Sequence, residues 1–169
     1  IVLTKDEWLK SLPKKVDRVV KVKMSQDQVK AYNFLTANWH LDINNKSIVI
    51  DNALTLSCKL SQIASGFLYI DDLIEEDMLL ENLKPSKSTK STRETYYFPE
   101  QPKLEAMIDE LKGAYRTKKV LVWFNMSAEK ELIESRLRLE SIPFLSISGG
   151  CKNIGELVGL FNKTQDYRV

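Results

Sequence analysis

The chain contains few imidazole and thiol groups, which limits the acid–base, nucleophilic and metal chemistry open to it. His40 is the single histidine, and the two cysteines, Cys58 and Cys151, are far apart in sequence. A Ser/His/Asp arrangement would need His40, which lies in a polar stretch typical of a surface or turn histidine. Two isolated cysteines do not make a cluster of soft metal ligands. We therefore expect no catalytic residue and no metal site in this chain.

Glycine-rich phosphate-binding motifs are also missing. The chain has six glycines, and none of them is followed by lysine. A loop of the GxxxxGK type is therefore absent, and no GxGxxG fingerprint is present either. We expect no nucleotide-hydrolysing site of a standard kind and no cofactor bound by this chain alone.

Two short polar stretches carry residue types suited to contacting phosphate groups. Each follows an apolar run and precedes a helical pattern, so a helix N-terminus with free N–H groups would face an anion there. Adjacent glycines let a backbone approach an anion closely, and a lysine adds positive charge. The alternative is that the glycine pair forms only a tight turn and the serine only caps a helix. The candidate nucleic-acid-binding residues are Asn125, Ser127, Ser148, Gly149, Gly150 and Lys152.

Composition restricts the class of protein. The chain has 169 residues, a formal net charge of +2 and 43% apolar residues, which favours one globular domain or a domain with an appendage. No apolar run approaches the roughly 18 residues that a membrane span needs, and no signal peptide opens the chain. Unpaired cysteines favour a reducing compartment. We expect a soluble, cytoplasmic protein without a membrane partner.

The C-terminal part alternates strand and helix patterns. Continuous apolar runs predict buried strands over 120–124 and 143–148, and 167–169 resembles the start of another. Helical periodicity predicts helices over 102–115 and 128–140, with a third one after the glycine pair. Strands that alternate with helices across short loops favour a parallel sheet flanked by helices. The predicted fold class is α/β.

The N-terminal part predicts a strand, two helices and a hairpin. Alternating valine and lysine residues predict a strand over 18–24, and Ser25 follows as a helix N-cap. A second helix is predicted over 53–65, with Gly66 just past its end. The runs 67–70 and 95–98 predict two paired strands, joined by a long polar connection, as a β-hairpin insertion.

The order of these pieces resembles the second RecA-like domain of superfamily 2 helicases, in the Swi/Snf-like branch of phage and bacterial type. Residues 119–125 (KVLVWFN) stand in the position of helicase motif IV, and 147–150 (ISGG) follow it at a similar spacing. The upstream pieces 20–28 and 60–67 are similar to the segment that leads into the second lobe. The resemblance implies a leading segment over 1–101 and a partial RecA-like core over 102–169, cut before motifs V and VI.

The resemblance also implies a function. The parent would be an ATP-dependent helicase or translocase whose first RecA-like lobe binds ATP and magnesium. This chain would supply nucleic-acid backbone contacts and inter-lobe coupling, and it would be inactive as an ATPase alone. Its partners would be DNA, with RNA as a further possibility, and the first lobe. We also expect self-association through an uncovered sheet edge.

Two other functions remain open from the residues. One is a free-standing α/β module that binds other proteins without any motor activity. The other is a small-molecule enzyme with its site at the carboxyl ends of the parallel strands.

Overall fold

The computed structural model describes residues 16–70 and 94–169, which form a mixed α/β structure. The five helices in these residues are α1 Gln26–Asn38, α2 Ala53–Ala64, α3 Pro102–Lys112, α4 Ser127–Leu139 and α5 Ile154–Lys163. The four strands are β1 His40–Ile43, β2 Lys46–Val49, β3 Phe67–Ile70 and β4 Glu94–Tyr97. The helices predicted over 53–65 and 128–140 are confirmed to within one residue at each end. Helix α3 begins where predicted and ends three residues early.

Helix α1 begins where its sequence predicts. The Ser25 hydroxyl accepts a hydrogen bond from the Gln28 backbone N–H, and the Gln28 side chain accepts one from the Ser25 backbone N–H. This capping box satisfies two N–H groups that the first turn would leave without partners. The Gln28 amide also donates to the Ile63 carbonyl at 2.7 Å and so joins α1 to α2.

Strands β1 and β2 form an antiparallel hairpin that the sequence analysis does not predict. His40 pairs with Val49, and Ile43 pairs with Lys46. The turn residues Asn44 and Asn45 have φ values of 51° and 63°, the left-handed conformation that tight hairpin turns require and that asparagine tolerates. The hairpin contributes Leu41 and Ile48 to the core, among other residues.

Strands β3 and β4 form the second antiparallel hairpin, and their pairing confirms the predicted one. Phe67 pairs with Tyr97, and Ile70 pairs with Glu94. The long polar connection predicted between them lies outside the described residues.

The described residues bury two hydrophobic clusters, one on each side of Pro102. The first cluster lies among α1, α2 and the two hairpins, and its most buried members are Leu35, Ile63, Leu68 and Ile70. The second lies between α3 and α4, and it comprises Ile108, Leu111, Leu137 and Ile142.

The strand predicted over 18–24 is not observed. Residues 16–25 have no regular secondary structure, and Val16 and Val19 are more than 80% exposed. A strand needs a neighbour for its N–H and C=O groups, and no described strand lies beside this segment. Instead Arg18 anchors it to α3 through two hydrogen bonds to the Glu110 carboxylate, at 2.7 and 3.0 Å.

The described residues contain no parallel sheet, and the runs 120–124 and 143–148 are not strands. The two runs lie on either side of 168–169. The Val120 N–H donates to the Arg168 carbonyl at 2.8 Å, and the Leu145 N–H donates to the Val169 carbonyl at 2.8 Å. Within the described part of the chain, residues 121–124 and 146–147 make no backbone–backbone hydrogen bond, so a continuous ladder is not observed there.

Within 16–70 and 94–169, no helix has the length and apolar character needed to cross a bilayer.

Candidate nucleic-acid interface

The first candidate loop leads into α4. Asn125 and Ser127 are both exposed, and the helix begins at Ser127. Its N-cap is Met126, which makes no side-chain capping bond. The prediction that Ser127 caps the helix is therefore wrong by one residue, because the chain enters the helix one position earlier than the serine signal suggests.

Protein groups already occupy part of this helix N-terminus. The Asn125 N–H donates to the Glu129 carboxylate at 3.2 Å, and the Ala128 N–H donates to the Tyr69 hydroxyl at 3.0 Å. Glu129 also pairs with Lys103 at 2.8 Å. A carboxylate is favourable at the positive end of a helix, so a phosphate would have to compete with Glu129 there.

The second candidate loop is a closed tight turn. The Cys151 N–H donates to the Ser148 carbonyl at 2.9 Å, with Gly149 and Gly150 between them. Neither glycine has the positive φ that would require glycine, and a Cβ added at either would meet nothing within 4 Å. Both glycines are exposed, so their backbone is open to an approaching anion without being a shaped cradle.

Lys130 brings the two candidate loops together. Its ammonium lies 3.4 Å from the Ser148 hydroxyl and 3.5 Å from Glu134. Lys130 is one helical turn beyond Ser127, so the start of α4 and the glycine turn share one edge of the molecule. Sequence reasoning missed Lys130, although its spacing from Ser127 was a usable signal.

The charge at this edge is only modestly positive. Burial disfavours the Glu134 carboxylate, but hydrogen bonds from Ser146 and Arg138 and the charge of Lys130 outweigh it and lower the pKa of Glu134. Glu134 is therefore ionised at neutral pH and offsets Lys130. Lys152 is exposed and makes no ion pair within the described part of the chain, so it is the freest cation of the candidate set.

An apolar groove opens between 120–124 and 143–147. It has a volume of about 470 Å³ and is lined by Val122, Phe124, Ile133, Leu145 and Ile147, among other residues. We call it the central groove. Its polar lining includes Lys130, Glu134 and Ser146.

The residues considered for other chemistry do not converge. His40 is exposed, with Nδ1 3.3 Å from the Asn38 carbonyl and its ring edge-on to Phe34. Cys58 is exposed and Cys151 half-buried, and both are free thiols. Among the described residues, no group of three or more histidine, cysteine or acidic side chains is arranged to hold a metal ion.

Comparison of the chain with protein-family models, with curated proteins and with solved structures finds no match. The resemblance to helicases therefore depends on the sequence alone, chiefly on 119–125 and 147–150.

Proposed function

We propose that the chain is part of a helicase-like nucleic-acid motor and supplies contacts to the phosphate backbone. In this proposal 102–169 belong to a RecA-like lobe, and ATP and magnesium bind elsewhere in the parent protein. The contact residues are those at the edge formed by the two loops, namely Asn125, Ser127, Ser148, Gly149, Gly150 and Lys152, with Lys130 added.

The observation that carries the proposal is the 3.4 Å approach of Lys130 to Ser148. It supports a shared edge that includes the first turn of α4, the Lys130 ammonium and the Ser148 hydroxyl of the glycine turn. Such an edge offers N–H and O–H donors and positive charge, which are the groups that bind phosphate oxygens without reading sequence.

The order of elements gives a second line of support. An apolar run precedes α4, another precedes α5, and 168–169 contact both runs through backbone hydrogen bonds. This order is compatible with an α/β lobe whose loops lie at one edge.

The expected binding is weak and depends on salt. The edge has few cations, and Glu129 and Glu134 reduce its positive charge, so about two to four phosphates would be neutralised. The plot of log affinity against log salt should then have a slope of about −2 to −4. Fluorescence anisotropy with labelled single-stranded and duplex DNA and RNA, at several salt concentrations, measures it.

A charge reversal tests where the nucleic acid binds. Lys152→Glu should weaken binding several-fold and make the salt slope shallower. Lys30→Glu is the matched control, because it makes the same charge change at an exposed lysine on α1. Equal loss in both variants, or unchanged affinity of Lys152→Glu, would contradict the proposed interface. We also expect no ATP turnover by this chain alone, with or without nucleic acid.

A protein-interaction module remains a second candidate function. The specific observation in its favour is the central groove, which is large and mostly apolar. Mostly apolar grooves with few polar groups are typical binding sites.

A further inference from the structure

A second cavity lies where α3, α4 and the end of α2 meet. Its volume is about 140 Å³, which is enough to hold several water molecules. Its polar lining consists of Ser65, Lys103 and Glu129. Its apolar lining comes from both helices and includes Leu104, Met107, Leu132 and Ile133. We call this cavity the α3–α4 pocket. A mostly apolar cavity with a few convergent polar groups has the usual composition of a ligand site.

The Glu129 carboxylate occupies the polar end of the α3–α4 pocket. Its side chain is only 13% exposed. One carboxylate oxygen lies 2.8 Å from the Lys103 ammonium, and the other accepts the Asn125 N–H at 3.2 Å. Each oxygen therefore has its own donor. The carboxylate is in the position of an anion bound by an ammonium group and a backbone N–H group.

The two donors are also held by parts of the structure other than Glu129. The Lys103 ammonium lies 3.1 Å from the Ser65 hydroxyl, and the Lys103 side chain is 59% exposed, so solvent reaches it. Asn125 precedes the first turn of α4, where the Ala128 N–H donates to the Tyr69 hydroxyl. Two oxygens of a phosphate group are about as far apart as the two oxygens of a carboxylate. The same pair of donors therefore suits a phosphate.

We propose that the α3–α4 pocket contains a phosphate subsite, which the Glu129 carboxylate fills in the free chain. A phosphate binds the Lys103 ammonium and the Asn125 N–H once the Glu129 side chain has turned toward solvent, and the Ser65 hydroxyl is a third donor. The inference rests on the proposed function for the source of the phosphate, which is the backbone of a nucleic acid held at the edge that includes Asn125. Lys103 is then a contact residue supplied by α3, and Glu129 limits the affinity.

The charges of the α3–α4 pocket favour a phosphate over other occupants. Glu129 is the one acidic side chain in the lining, so its departure leaves the positive charge of Lys103 unbalanced. Hydrogen bonds between charged partners are roughly twice as strong as neutral ones. A divalent cation prefers several oxygen ligands, and a single carboxylate does not provide them. An apolar molecule would cut the Lys103–Glu129 pair off from water, which costs free energy.

Titration with inorganic phosphate tests the subsite without nucleic acid. The full chain is labelled with ¹⁵N, and chloride at equal ionic strength is the reference. Glu129→Ala should bind phosphate at least tenfold more tightly than the wild type, with the largest chemical-shift change at the Asn125 amide, because no carboxylate competes. Adding Lys103→Ala to that variant should remove the gain. A gain that survives Lys103→Ala would assign the phosphate to another place and overturn the proposal.

Two further variants control for net charge and for folding. Asp109→Ala removes an exposed carboxylate of α3 that does not line the pocket, and it should leave phosphate affinity unchanged. Glu129→Gln keeps the size of the side chain, so it reports on the charge even if Glu129→Ala does not fold. It should bind phosphate more tightly than the wild type and less tightly than Glu129→Ala. Equal phosphate affinity in the wild type, Glu129→Gln and Asp109→Ala would overturn the proposal.

Fluorescence anisotropy with labelled DNA and RNA tests the source of the phosphate. Glu129→Ala should bind at least threefold more tightly than Asp109→Ala, and its salt slope should be steeper by about 0.7–0.9, because one more phosphate is neutralised. Equal affinities and slopes in these two variants would overturn the assignment of the subsite to the nucleic-acid backbone. If Glu129→Ala gains phosphate affinity but neither it nor the wild type binds DNA or RNA, the subsite is supported and the proposed function is wrong.

Discussion

Gly66 shows how one residue determines a local arrangement. It follows α2 with φ +93°, a conformation that favours glycine, and its carbonyl accepts hydrogen bonds from the Phe98 N–H and the Gln101 amide. A Cβ at this position would lie 1.9 Å from the Gln101 side-chain oxygen. The residue therefore joins the end of α2, the end of β4 and the start of α3.

Gly66→Ala should destabilise the fold by about 1–3 kcal/mol, because alanine is strained at this φ and Gln101 must move. Gly155→Ala is the matched control: it lies in α5, and its added Cβ meets nothing within 4 Å. That change should stabilise α5 by roughly 0.5–1 kcal/mol. Urea unfolding followed by circular dichroism measures both. A neutral Gly66→Ala would show that the turn after α2 relaxes freely.

The raised pKa of Tyr97 predicts that the protein loses stability at high pH. Burial, followed by the hydrogen bond to Glu131, raises the pKa of Tyr97 from 10.0 to about 12. The folded state therefore holds this proton between pH 10 and 12, where the unfolded state releases it. Its contribution to stability is complete below pH 10 and is lost as the pH rises toward 12.

Urea midpoints of the wild type and of Tyr97→Phe, compared at several pH values, check this prediction. Tyr97→Phe should fall less steeply than the wild type between pH 10 and 12, because it has no proton to lose there. Parallel curves for the two proteins would assign the high-pH loss to other groups. Glu131→Gln should lower the pKa of Tyr97 only in part, because burial remains.

Among the elements, α4 is the one whose position links the two halves of the structure. Its N-terminal Ala128 is 2% exposed and donates its N–H to the hydroxyl of Tyr69 on β3. Met126 provides no side-chain cap. The Tyr69 hydroxyl accepts a hydrogen bond from the first turn of α4 in place of a capping side chain. A tertiary contact therefore helps to fix where α4 begins.

Tyr69→Phe should destabilise the protein by about 1–3 kcal/mol, because it leaves the buried Ala128 N–H without this partner. Tyr96→Phe is the control: Tyr96 lies on the neighbouring strand β4, and its hydroxyl makes no hydrogen bond to the described residues. Tyr96→Phe should lower the free energy of unfolding by no more than about 0.5 kcal/mol. Thermal and urea unfolding compare them. Equal losses would mean that the hydroxyl bond to α4 contributes nothing.

At the scale of the whole molecule, the presence of two separate hydrophobic clusters predicts that the free energy of unfolding differs between the two halves of the described structure. They meet partly through exposed polar contacts, such as Lys103 with Ser65 and Arg18 with Glu110. Exposed pairs contribute little, about 0–1 kcal/mol each, so the two halves are expected to unfold as partly separate units.

Truncations of the two cores test this expectation. Leu35 and Leu137 are 0% and 1% exposed, and replacing either with alanine should cost about 2–5 kcal/mol in its own cluster. Amide hydrogen exchange should become faster in α1 and β3 for Leu35→Ala, and faster in α3 and α4 for Leu137→Ala. If either variant accelerated amide hydrogen exchange equally in both halves, the described structure would unfold as one cooperative unit and the expectation would be wrong.

Much of the local structure could be predicted from the sequence, because its signals are local. Ser25 with Gln28 marks the start of α1, and Gly66 marks the end of α2. The β3–β4 pairing was also predictable, since two apolar runs flank a long polar segment. Of the candidate interface, the sequence supplied the two loops, while the contact of Lys130 with Ser148 depends on how α4 packs.

The strands were the part that only the tertiary structure decided. A helix satisfies its own backbone groups, whereas a strand exists only where another chain segment lies beside it. The runs 18–24 and 120–124 have strand-like sequences but lack such a neighbour over most of their length in the described structure. Sequence alone determined that 120–124 is apolar; the tertiary structure decided that it is not a strand, because among the described residues Val120 alone of this run makes a backbone–backbone hydrogen bond, to Arg168.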